Sequence, residues 1–86
     1  MSVAQSIERK LNEAFAPLSL QVIDESHLHA GHVGARPEGE THFRVEVVSA
    51  AFADCSRVDR QRMVYDTLRE ELAGPVHALS VLASPP

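Results

Sequence analysis

The chain holds a single cysteine, Cys55, so it cannot form an internal disulfide. A small fold without covalent staples suits a reducing compartment, which points to a soluble, cytoplasmic protein. A basic surplus is also missing. Eight Lys and Arg face twelve Asp and Glu, a formal charge of −4 over 86 residues. A general phosphate-backbone binder usually has the opposite balance. No apolar run approaches the length of a membrane span, so no membrane partner is expected. The opening MSVAQSIERK has no apolar centre and carries acid early, unlike a signal or transit peptide. Low-complexity tracts and internal repeats are absent. Cys55 has no Ser, His or acid placed with it in a recognisable catalytic motif, and the chain is expected not to be an enzyme. Its length leaves room for one domain, residues 1–86, with a thin core: such a chain hides only about 60% of its unfolded surface.

What is present is a clear succession of periodic segments. Ser2 followed by Gln5 forms a capping-box pattern. Val3, Ile7, Leu11 and Phe15 then recur every four residues, which predicts one buried helical stripe. Glu8, Arg9, Lys10 and Glu13 are expected to face away from it, and Pro17 closes the helix. In LSLQVID (18–24), Leu18, Leu20 and Val22 alternate with polar residues at strand period. THFRVEVVS (41–49) places Phe43, Val45 and Val47 on one face and His42, Arg44 and Glu46 on the other. AAFADCS gives a short helical turn. Ser56 and Asp59 then cap a helix carrying Val64, Leu68 and Leu72, stopped by Gly74 and Pro75. The adjacent Glu70 and Glu71 are expected to be solvated charge. VHALSVLA (76–83) is a third strand, and because it follows a helix it joins the sheet parallel to the second. The order is αββααβ: an α+β fold with a three-stranded mixed sheet and helices on one face.

Between the first two strands lies DESHLHAGHVGARPEGE (24–40), too long for an ordinary hairpin turn, and loops of that length are often functional. It holds His27, His29 and His32, three imidazoles within six residues. Such tracts can take Zn²⁺, Ni²⁺ or iron, and the bland alternative is a solvated glycine-bearing loop. No fixed four-ligand zinc spacing is present. A fifth histidine, His77, opens the third strand, where a lone histidine is ordinarily a surface or satisfied core group. His42, on the second strand, is expected to be structural or part of a partner surface. Cys55 is expected to be a small, half-buried apolar residue at a helix junction.

Taken in order, VIDES (22–26), the histidine-bearing loop, GETHFRVEVVSAAF (39–52), RQRMVY (60–65) and EELAGPVHALSVLASP (70–85) resemble a BolA-like protein over nearly the whole chain. The resemblance implies a fold like the class II KH domain. It also implies association with a monothiol glutaredoxin through a shared [2Fe–2S] cluster, with glutathione supplying a thiolate through the partner. Two ligands are then expected from this chain. PVHAL carries the first onto His77. The second comes from the loop: counting forward from DES reaches His29, and counting back from THF lands nearer His32. Both stay open, ahead of His27. Many members read RHR where this chain has Arg60-Gln61-Arg62, so a histidine sometimes attributed to that helix is missing.

Imidazole is an accepted cluster ligand, as in Rieske centres. It is more easily protonated and released than thiolate, which suits cluster transfer or sensing. The rival expectation is a DNA-binding transcription regulator using Arg57, Arg60 and Arg62 on the second long helix. Interleaved acids such as Asp59 and Asp66 weaken that field, and no GxxG clamp of a true KH domain is evident. A third expectation is a metal-free adaptor that docks its partner equally well without cluster.

Overall fold

The structure is a computed structural model that describes residues 2–26 and 40–86. Helix α1 (Val3–Phe15) begins as the sequence predicts. The Gln5 amide donates to Ser2 Oγ at 3.1 Å, and the Ser2 amide donates to Gln5 Oε1 at 2.9 Å. Two orphan donors of the first turn are thereby satisfied. Ile7, Leu11 and Phe15 are buried along one stripe. The helix stops at Ala16, which turns left-handed (φ 43°) and returns its N–H to the Asn12 carbonyl; Pro17 follows.

Strand β1 (Ser19–Asp24) pairs antiparallel with β2 (His42–Val48), with Leu20 opposite Val47 and Val22 opposite Val45. A 3₁₀ turn at Ala50–Phe52 follows, capped by Ser49. It buries Phe52 completely, its ring centroid 4.9 Å from that of Phe15. Ser56 then caps helix α2 (Arg57–Thr67) by accepting the Asp59 amide. A short α3 (Arg69–Ala73) leads to β3 (Ala78–Ser84), which pairs parallel with β2, Val81 opposite Val45. The sheet order is β1-β2-β3. Phe43, Val45 and Val47 of the central strand meet Ile7, Leu11 and Phe15 of α1 and Val64 of α2 in one core. The fold is the expected α+β arrangement, a three-stranded mixed sheet with the helices on one face. No helix among the described residues is long and apolar enough to cross a membrane.

Three details depart from the sequence pattern. The long helix expected through residue 73 is two helices, broken at Leu68 (φ −104°, ψ 18°). There Thr67 Oγ1 donates to the Met63 carbonyl at 2.8 Å, a back-bond that bends helices, and Leu68 drops into the core. Leu18, expected on the inner face of β1, is 75% exposed. It follows the left-handed turn at Ala16 and precedes the strand's own alternation. Finally, Lys10 and Glu71 are not solvated. Lys10 Nζ lies 2.9 Å from Glu71 Oε2, and the two side chains are only 19% and 10% exposed. Glu70 remains outside, reaching the same ammonium at 3.7 Å.

A half-buried pair of this kind costs most when one partner is removed. Lys10→Met is expected to destabilise the fold by roughly 2–4 kcal/mol in urea unfolding, because Glu71 keeps its burial and loses its cation. The double variant Lys10→Met/Glu71→Met is expected to recover most of that loss.

Candidate metal-ligand site

Gly74 and Pro75 end the helical segment, and the chain re-enters the sheet at Val76, which is 97% hidden from solvent as a core plug (3% exposed). The next residue points the other way, so His77 is exposed. Its backbone is not loose. The His77 amide donates to the Thr41 carbonyl at 2.7 Å, and the Ala78 amide donates to the same oxygen at 3.2 Å. Those two bonds begin the parallel β2–β3 ladder.

The ladder brings a second histidine alongside. His42 is the first residue of β2, opposite Ala78. Phe43 faces the core, so His42 lies on the outer face, half-buried. The His42 and His77 rings stack with centroids 6.4 Å apart and planes inclined by 27°. Beneath His42 is a buried polar node. Thr41 Oγ1 is 2.8 Å from His42 Nδ1 and 3.3 Å from Ser26 Oγ. Ser26 Oγ accepts the amides of Thr41 (2.9 Å) and His42 (3.1 Å). Thr41 is fully buried and Ser26 nearly so.

The same node ties the two ends of the long loop together. Asp24 accepts the Ser26 amide on Oδ1 at 2.9 Å and the Glu40 amide on Oδ2 at 3.1 Å. Glu40, left-handed at φ 62°, turns its carboxylate to the start of α1. It accepts the Val3 and Ala4 amides at 3.4 and 3.3 Å, a favourable place for an anion.

His29 and His32, the loop ligands expected from sequence, lie outside the described residues, as does His27. Among the described residues no group of three or more His, Cys, Asp or Glu is placed to hold a metal. Cys55 is half-buried at a helix junction, its Sγ 3.8 Å from the Ala51 carbonyl and 3.9 Å from Met63 Sδ. The three arginines of the rival reading differ in their surroundings. Arg60 directs Nε to the Cys55 carbonyl at 3.1 Å and Nη1 to the Ala83 carbonyl at 3.5 Å. Arg62 is exposed beside Asp59 at 3.7 Å. Arg57 lines a groove of 250 Å³ with Gln61, Val81, Leu82 and Ala83. Sequence reasoning missed the closeness of His42 to His77. The usable signal was the parallel pairing itself, since THF and VHA begin neighbouring parallel strands, where His42 comes to lie opposite Ala78.

A small α+β domain whose central strand opens on one histidine and whose last strand is preceded by another defines the class; comparison supplies the family. The BolA-like protein family model matches residues 11–86, and the chain belongs to that family. An uncharacterised protein of the cobS 5′ region in Sinorhizobium is 51% identical over all of this chain and 94% of its own length. The DNA-binding transcriptional regulator BolA of Escherichia coli is 43% identical over 94% of this chain and 73% of its own. The BolA domain of SufE1 from Arabidopsis thaliana superposes with a TM-score of 0.90 at 43% identity, covering 100% of this chain and 94% of that one. Other relatives are longer: this chain spans 58% of human BolA-like protein 1 and 23% of the Arabidopsis SufE-like protein 1. None of these names is that of an enzyme.

Ser26 gives a direct test of the node. Ser26→Ala leaves two buried amides without their acceptor and is expected to cost about 1–3 kcal/mol in urea unfolding. Asp24→Asn, which keeps one accepting oxygen, is expected to cost less.

Proposed function

We infer that this chain is a non-enzymatic, cytoplasmic partner of a monothiol glutaredoxin. With it the chain co-ligates a [2Fe–2S] cluster, the glutaredoxin and its glutathione supplying the thiolates, in iron–sulfur trafficking or iron and redox regulation. The observation that carries this is the presentation of His77. It is exposed, its backbone is locked to Thr41, and it stands in the PVHAL segment of a BolA-like chain.

The donor set suits a shared cluster better than a resident one. A [2Fe–2S] unit needs four protein or thiol ligands. The described part of this chain offers neighbouring imidazoles at one place and a thiol, Cys55, at another, engaged with Ala51 and Met63. The remaining ligands are left to the loop histidines and to a partner. His77 is the residue that would reach the cluster, and one of His29 and His32 is the loop candidate beside it. When bound, the cluster supplies one-electron chemistry and transferable iron and sulfide. The protein's part is to hold His77 at a fixed height on the sheet edge.

The name of the Escherichia coli relative favours a second reading, DNA binding. Here the field available to DNA is thin, since Arg60 is turned onto backbone carbonyls and Arg62 sits beside Asp59.

The two readings part experimentally. Anaerobic mixing with a monothiol glutaredoxin, glutathione, iron and sulfide is expected to give a visible circular-dichroism spectrum distinct from that of the glutaredoxin homodimer. His77→Ala is expected to abolish it, and an unchanged homodimer spectrum with wild type overturns the first reading. Duplex binding, if it is the function, has to weaken steeply with salt, fall on Arg57→Ala, and ignore His77→Ala.

A further inference from the structure

His77 is exposed, so its ring is not gripped by the core, and what the ring can reach is decided by its backbone. That backbone is fixed by a single peptide unit, the one joining Thr41 to His42. The carbonyl of this unit accepts the His77 amide at 2.7 Å and the Ala78 amide at 3.2 Å. Its N–H, that of His42, donates to Ser26 Oγ at 3.1 Å. A peptide unit is planar and rigid. Turning it to favour one of these bonds disturbs the others, so Ser26 and His77 are held by opposite ends of the same plate.

Ser26 grips the preceding unit as well. Its Oγ also accepts the Thr41 amide at 2.9 Å, and Thr41 Oγ1 lies 3.3 Å from it. Ser26 is 5% exposed and Thr41 is wholly buried, so water does not replace these bonds. Hydrogen bonds in such a chain polarise one another: the amide given to Ser26 strengthens the carbonyl offered to His77. Ser26 is itself tied down by Asp24, which accepts its amide at 2.9 Å. In sequence it immediately precedes His27, at the stem of the histidine-bearing loop. One hydroxyl thus registers that stem against the strand start that presents His77.

We propose that Ser26 is a positioning residue for the ligand site: through the Thr41–His42 peptide it sets the place of His77 relative to the stem of the loop. The inference rests on the glutaredoxin-cluster reading and deepens it by naming what preorganises the chain's own ligand. A ligand as exchangeable as imidazole gains most from being held in place beforehand, since less of its binding energy then goes into ordering the strand start.

Amide hydrogen exchange tests the coupling without any metal. In Ser26→Ala the His77 and Ala78 amides are expected to lose roughly tenfold more protection than the helical amides of Leu68 and Leu72, the effect of a weakened hydrogen bond. Ile7→Val, which loosens the core away from the node, is expected to lower all of these amides together. Ser26→Thr keeps the hydroxyl and is expected to restore His77. Sucrose keeps the weakest variant folded for the comparison. Equal losses at all of these amides in Ser26→Ala overturn the proposal, because a merely structural serine behaves that way. With glutaredoxin, glutathione and cluster, Ser26→Ala is expected to hold the mixed cluster about 10–100-fold more weakly against a chelator. Ile7→Val and Ser26→Thr are expected to hold it as wild type does. Selective loss of protection at His77 with unchanged cluster retention overturns the role of Ser26 at the ligand. If wild type forms no mixed cluster at all, the glutaredoxin reading falls, while the exchange pattern still decides whether Ser26 positions His77.

Discussion

The Thr41 carbonyl is the point on which the rest of the molecule is registered. It receives the amides of His77 and Ala78, and so starts the parallel pairing of β2 with β3. A parallel pair cannot be closed by a tight turn, and the chain between the two strands has to cross over one face of the sheet. The 3₁₀ turn, α2 and α3 make that crossing and bring Phe52, Val64 and Leu68 onto Phe43, Val45 and Val47. With the register fixed, every inward residue of β3 is assigned: Leu79 faces Phe43, Val81 faces Val45, Ala83 faces Val47. A slip of one residue would send all of them to solvent.

Magnitudes show what holds His77 in place. Burying a side chain the size of Val76 stabilises by about 1.5–3 kcal/mol. A ring contact at the edge of stacking range contributes less than the roughly 0.5–1.5 kcal/mol of a good aromatic pair. The histidine is therefore positioned by its buried neighbour and by the ladder bond to Thr41. The ring itself remains available for chemistry because the fold does not depend on it. His42 is held differently, through a hydroxyl node whose other bonds close the loop stem, so its position is coupled to the ends of the segment that carries His29 and His32.

Much of this was legible in the sequence because period and punctuation are local. Ser2 with Gln5, the stripe Ile7, Leu11, Phe15, and the alternation of Phe43, Val45 and Val47 each need only a few neighbouring residues to be read. The parallel third strand followed from its helical crossover. What escaped was set by contacts between distant segments. Lys10 and Glu71 look like surface charge until α1 and α3 are packed side by side. Leu68 continues an apolar stripe in sequence, and only the Thr67 back-bond reveals a break. The closeness of His42 to His77 escaped because the two are 35 positions apart, and the register that sets His42 opposite Ala78 is a property of the sheet.

On the proposed reading this chain brings imidazole and not thiolate to a shared iron–sulfur cluster, and that bears on what such a site is for. Thiolates hold cluster iron tightly and add negative charge; neutral imidazoles add none and raise the potential. They also compete with protons near neutral pH, so the bond they form is the one that breaks first. In a cluster shared on these terms, the thiolate side retains and the histidine side releases. On the proposed reading, a backbone locked to the Thr41 carbonyl gives His77 a defined position without making it a strong ligand. That combination suits a partner that redirects a cluster held by another protein better than one that stores it.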